Sequence, residues 1–106
     1  MDLTTALFML VTMTRVPPEA ITLVRGDSNE CGSEYVGCTT TYPSGAVLIE
    51  INRDAPNPLS TLAHEYAHVL DHAIGGKGHT VSFHTLDAGM HELLEIPYTP
   101  YWIYDE

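Results

Sequence analysis

The segment "HEYAHVLDHAIGGKGHTVSF", residues 64–83, gathers four histidines, a glutamate, an aspartate and three glycines within twenty positions. His64 and His68 are four residues apart. On a helix that spacing sets two imidazoles about 6 Å apart along the axis and about 40° apart around it, close enough to share one ion. Zinc suits such a pair, since it takes imidazole nitrogen at about 2.0–2.1 Å. Glu65 follows the first histidine, where a carboxylate can take a proton from a metal-activated water. HExxH on a helix is therefore a mechanism and not only a string. The plainer alternative is an amphipathic helix whose polar face happens to carry two histidines and a glutamate. The complete pattern, on a strongly periodic helix that follows a strand, argues against it.

A catalytic zinc needs a third protein ligand and one open position. Asp71 and His72 lie on the same helix as the first two and too far along its axis to share the ion. Asp71 and His72 each have either a ligand-orienting role or a place on a solvated face. The pattern HExxHxxGxxH is absent, because Asp71 stands where its glycine belongs and Ile74 where its last histidine belongs. His79 is the better choice. Ten residues separate it from His68, and Gly75, Gly76 and Gly78 among them permit a chain reversal. His84 and His91 follow at greater distance, with His84 expected to face away from His79, and each alone reads more readily as a surface or core histidine. Asp87 and Glu92 are further alternatives as the third ligand, in the manner of gluzincins.

These side chains need a scaffold. "MDLTTALFMLVTMTRVPPEA" reads as a buried first helix, closed by Pro17 and Pro18. "ITLVRG", "VGCTTTY" and "GAVLIEIN" read as strands, rich in β-branched residues and bounded by turn signals. In the last of them Val47, Ile49 and Ile51 alternate with Leu48 and Glu50, a half-buried pattern. Asn57 is placed to cap the next helix, with Pro58 at its first position. Leu59, Leu62, Ala63, Tyr66, Ala67, Leu70 and Ile74 then form one apolar stripe, and Gly75 and Gly76 end it. A short helix is expected within "TVSFHTLDAGMHELL", followed by the aromatic tail "EIPYTPYWIYDE", extended and packed on the body. The expected fold class is α+β: a single domain over 1–106 with an N-terminal helix, a small three-stranded sheet, mixed or antiparallel, the HExxH helix, a short C-terminal helix and the tail.

Charge narrows the partners. Four Lys and Arg stand against 14 Asp and Glu, for a net −10. Arg15, Arg25, Arg53 and Lys77 are scattered, so direct binding to nucleic acid or to an anionic membrane is not expected. The early apolar run lacks a preceding basic segment and is too short to span a bilayer, which points to a cytoplasmic protein. Cys31 and Cys38 make either a local disulfide or two thiols. For an intracellular chain thiols are the expectation.

"HEYAH", His79 and the aromatic Phe83 four positions beyond it resemble the SprT-like and WLM metallopeptidases. Those families carry HExxH on a helix, a glycine-containing turn, and a third histidine followed four positions later by an aromatic. The resemblance covers roughly residues 45–90 and is firm for 64–83. It implies a minimal zincin-type core with zinc on His64, His68 and His79 and with Glu65 as general base. Thr80 departs from the glycine that usually follows the third histidine, and no zinc-ribbon or DNA-binding extension is present, so a role in clearing DNA–protein crosslinks is not implied. The expected function is that of a zinc-dependent metalloendopeptidase acting on peptides or proteins, with the "GAVLIEI" strand as the sheet edge that takes substrate as an added strand. No oxyanion donor is identifiable, although Tyr98, Tyr101 and Tyr104 have the right chemistry. The alternatives are a non-catalytic or latent zinc domain whose site is closed by the C-terminal tail, and a zinc hydrolase acting on something other than peptide.

Overall fold

A computed structural model describes residues 1–26 and 35–98. Among them the order is α1 (Leu3–Thr14), a 3₁₀ turn at Pro18–Ala20, β1 (Ile21–Gly26), β2 (Gly37–Thr41), β3 (Val47–Asn52), α2 (Pro58–Ala73) and α3 (Val81–Leu93). This is the α+β class expected.

The three strands form a mixed sheet in the order β1-β3-β2. β1 runs parallel to β3, with Ile21 opposite Val47 and Arg25 opposite Ile51. β2 runs antiparallel to β3, with Gly37 opposite Ile51 and Thr39 opposite Ile49. β3 is thus the central strand, hydrogen-bonded on both sides, and cannot take an added substrate strand. Its alternation revealed which side chains are buried, but alternation carries no information on a strand's position in a sheet.

Val47, Ile49 and Ile51 of β3 are buried against the helices. By register, Thr39 and Gly37 share that face, because directly opposed residues point to the same side. α2 lies across β2 and β3, and α1 and α3 pack against α2. Leu62 and Tyr66 of α2, Leu10 of α1 and Phe83 of α3 are fully buried in one core. Each such side chain contributes roughly 1.5–3 kcal/mol by leaving water. The Thr14 hydroxyl donates to the Leu10 carbonyl (2.6 Å), so in the 2.6 Å contact between Thr14 and Tyr66 the phenol is the donor. Burial raises the Tyr66 pKa.

The helix ends are set locally. Asp2 caps α1 by accepting from the Thr5 amide (2.7 Å). Pro58 opens α2 as expected, but the Asn57 side chain makes no capping bond. Its carbonyl instead accepts from the Thr61 amide and hydroxyl. α2 ends in a Schellman turn: the Gly75 amide donates to the His72 carbonyl and the Gly76 amide to the Asp71 carbonyl, with Gly75 at φ +80°.

Cys38 is disulfide-bonded, and no free cysteine is present among the described residues. The expectation of thiols rested on an assumed reducing compartment and is overturned. The other cysteine of the sequence, Cys31, lies outside the described residues, as do Tyr101, Tyr104 and the rest of the tail from residue 99 onward. Within the described tail, Ile96 packs against the core. No helix of the described residues is long and apolar enough to cross a membrane.

Candidate metal centre

α2 and α3 meet as a ladder. Residues four apart on α2 face residues four apart on α3: Ser60 meets His91, His64 meets Asp87, and His68 meets Phe83. Four-residue steps keep side chains on one face of a helix, so the ladder aligns the HExxH histidines with α3 along their whole length.

His64, His68 and His79 converge, each offering a ring nitrogen, all within 4.8 Å of one another. Burial falls from His64 through His68 to His79. Phe83, fully buried, lies against all three. Its ring stacks on His68 at 4.3 Å between centroids and meets His64 edge-on at 5.1 Å and His79 edge-on at 5.0 Å. A rigid aromatic wall therefore restrains the rotamers of the three imidazoles.

His79 reaches the site through the turn that ends α2. Gly75 and Gly78 have positive φ, and His79 itself sits at φ +47°, a left-handed conformation uncommon for a side-chain-bearing residue. Asp71 stabilises this path. It is 2% exposed and accepts from the Gly78 amide (2.9 Å). A Cβ on Gly76 would stand 2.1 Å from Asp71 Oδ1, so only glycine fits beside that carboxylate. Asp71 is thus neither a ligand nor part of a solvated face. Thr80, in the place where the resembled families show glycine, caps α3 by accepting from the Phe83 amide (3.3 Å). Partial burial lowers the His79 pKa, and repulsion from His64 and His84 lowers it further against the pull of Asp87 and Asp71. The neutral imidazole is the form that binds metal.

His64 is oriented from its other nitrogen. Nδ1 lies 2.9 Å from Asp87 Oδ2. With the proton on Nδ1, the lone pair lies on Nε2, the atom that would meet a metal. Asp87 also faces His91, 3.1 Å from Nδ1. Burial pushes the Asp87 carboxyl up, but the hydrogen bonds from His64 and His91 outweigh it and leave the pKa at about 2. It is an anion throughout the neutral range.

Glu65 is only 1% exposed. The Thr39 hydroxyl lies 2.6 Å from Glu65 Oε1 and 3.0 Å from the Glu65 carbonyl, and its single proton favours the nearer carboxylate. Gly37 makes room for this arrangement: a Cβ there would be 2.6 Å from Thr61 Cγ2 and 3.0 Å from Glu65 Oε2. Glu65 is therefore seated on β2.

The remaining sequence candidates separate cleanly. His84 lies beside the cluster with its ring parallel to that of His79 at 6.4 Å, not turned away as expected. His72 and Glu92 are exposed. Asp87 touches a ligand and not the ligand position. His91 is a core residue, 2% exposed, and Tyr98 packs its ring on it at 5.1 Å. Sequence reasoning missed Gly37, Thr39 and Ser60. The helical ladder held a signal for Ser60, four positions before His64, whereas Gly37 and Thr39 depend on strand register.

Three imidazoles fit zinc, copper, nickel or iron, and the roughly 3.4 Å between nitrogens that tetrahedral zinc takes falls within the 4.8 Å that bounds this cluster. No protein-family model matches the chain, and no curated protein matches it either.

Proposed function

We propose that the chain is a zinc-dependent metalloendopeptidase with His64, His68 and His79 as metal ligands and Glu65 as general base. The observation that carries this reading is the convergence of the three histidines within 4.8 Å, on a helix whose intervening glutamate is buried and seated by a strand. The resemblance of "HEYAH", His79 and Phe83 to the SprT-like and WLM metallopeptidases points the same way.

Zinc, when bound, supplies the Lewis acidity that polarises a peptide carbonyl and makes water nucleophilic near neutral pH. Glu65 takes the proton from the attacking water and passes it to the leaving amine. The Thr39 hydroxyl fixes the carboxylate through one oxygen. Phe83 excludes water from below the ligands, and Asp87 holds the His64 ring and its tautomer. Among the described residues no strand pairs with the outer edge of β2, so β2, not β3, is the strand to which an extended peptide would add. Register then brings the peptide alongside the strand that seats Glu65.

The expected cytoplasmic placement conflicts with the disulfide at Cys38, because cytosolic thiols are kept reduced. We place the enzyme where disulfides persist, and thiol titration of protein from its native source tests this.

The decisive functional experiment compares wild type with Glu65→Gln on a mixture of unstructured proteins, with zinc content measured in parallel. The proposal requires cleavage by the zinc-loaded wild type and loss of at least about 10²-fold with zinc retained in the variant. Full activity in Glu65→Gln would refute it.

A further inference from the structure

The ladder between α2 and α3 contains one rung that the proposed chemistry does not use. Ser60 Oγ is 2.7 Å from His91 Nε2. His91 Nδ1 is 3.1 Å from Asp87 Oδ1 and 2.8 Å from the Asp87 carbonyl. Asp87 Oδ2, the other oxygen of the same carboxylate, is 2.9 Å from His64 Nδ1. His91 and Asp87 are 2% and 3% exposed. A continuous chain of polar contacts therefore leaves α2 at Ser60, crosses to α3 and returns to α2 at His64, one turn further on.

Each bond in the chain constrains the next. A serine hydroxyl can donate to Nε2 only if the His91 proton is on Nδ1, and that proton then faces Asp87. One tautomer of His91 satisfies both contacts with a neutral ring. That one Nδ1 proton bonds the Asp87 carbonyl at 2.8 Å and lies against Oδ1 at 3.1 Å, so His91 packs its polar edge on the carboxylate whose Oδ2 meets His64. The plane of Asp87 fixes the ring plane of His64 and hence the direction of Nε2.

We propose that Ser60 and His91 are positioning residues for the metal centre, which hold Asp87 in the one orientation that aims His64 at the ion and thereby set its affinity. This rests on the metal-binding reading of His64, His68 and His79. It adds that affinity is governed from a rung two turns of α3 away from Phe83.

The test is zinc affinity by chelator competition, together with the visible spectrum of the cobalt-substituted protein and the melting temperature of the metal-free protein. His91→Leu keeps volume and removes both contacts. Its zinc affinity should fall about 10- to 100-fold, the usual cost of losing a group that orients a ligand, and the cobalt spectrum should change. His91→Asn places an amide donor near the position of Nδ1 but leaves Ser60 without this contact, and should recover part of the affinity. His91→Gln, which reaches toward Ser60 and not Asp87, should recover little. Met90→Ala serves as the control for a stability loss alone and should lower the melting temperature with zinc affinity intact. Wild-type affinity in His91→Leu would overturn the inference. If that variant does not fold, His91→Asn binding no better than His91→Gln would overturn it. A wild-type protein that binds no zinc would instead remove the metal centre itself, and is read before any variant.

Discussion

The two sides of α2 hold their functional groups by different means. Toward α3, the candidate ligands His64 and His68 are fixed by a ladder of four-residue steps between two helices, against Asp87 and Phe83. Toward the sheet, Glu65 is fixed by one strand, through the absence of a side chain at Gly37 and the hydroxyl of Thr39. The ligand side depends on helical period and the base side on strand register. Under the proposed function the chemistry is divided in the same way: one side would bind the metal, the other would serve turnover. Substitutions should therefore separate into those that lose zinc and those that keep it.

The largest effect is expected on the base side. Glu65→Gln should abolish turnover with zinc content unchanged, as measured by elemental analysis beside a proteolysis assay. On the ligand side, Asp87→Asn should weaken zinc about 10- to 100-fold by chelator titration. It should also lower stability, because the replacement takes an anion away from two buried histidine contacts. If Asp87→Asn lost turnover without losing zinc, the division between the sides would fail. Gly37→Ala forces a Cβ into Thr61 and Glu65 and should cost about 1–3 kcal/mol in denaturant unfolding, with reduced turnover and zinc still bound. Asp71→Ala leaves the Gly78 amide without its acceptor and should weaken zinc several-fold through His79, a smaller effect than Asp87→Asn because the turn retains its Schellman bonds. Thr39→Val should have the smallest effect: a fall in kcat with KM and zinc content close to wild type, since it removes one hydrogen bond worth about 0.5–1.5 kcal/mol.

The same division decided what could be read from the sequence. Helical spacing made His64, His68 and the stripe through Leu62 and Tyr66 legible, and the glycines at 75, 76 and 78 marked the reversal that delivers His79. The strand limits at Ile21–Gly26 and the end of β3 at Asn52 follow from β-branched runs and turn residues, while β3 starts two residues later than the "GAVLIEIN" run. Strand order does not, because alternation in β3 reports burial and not neighbours, and the edge was assigned to the wrong strand. Gly37 and Thr39 were invisible for the same reason. Their contact with Glu65 spans 26 positions for Thr39 and exists only once β2 has paired with β3. Asp71 and Asp87 are legible as carboxylates near a histidine motif, but whether each ligates, orients or faces water depends on which direction the turn after α2 takes. The redox state of Cys38 was inferred from compartment, a property that the local sequence does not encode.

The three-histidine centre underlies both sides of this division, and zinc stoichiometry in wild type and His79→Ala tests it most directly. One zinc per chain in wild type and little or none in His79→Ala is the predicted result. An undiminished zinc in His79→Ala, or none in the wild type, would contradict the convergence of His64, His68 and His79 on a single ion.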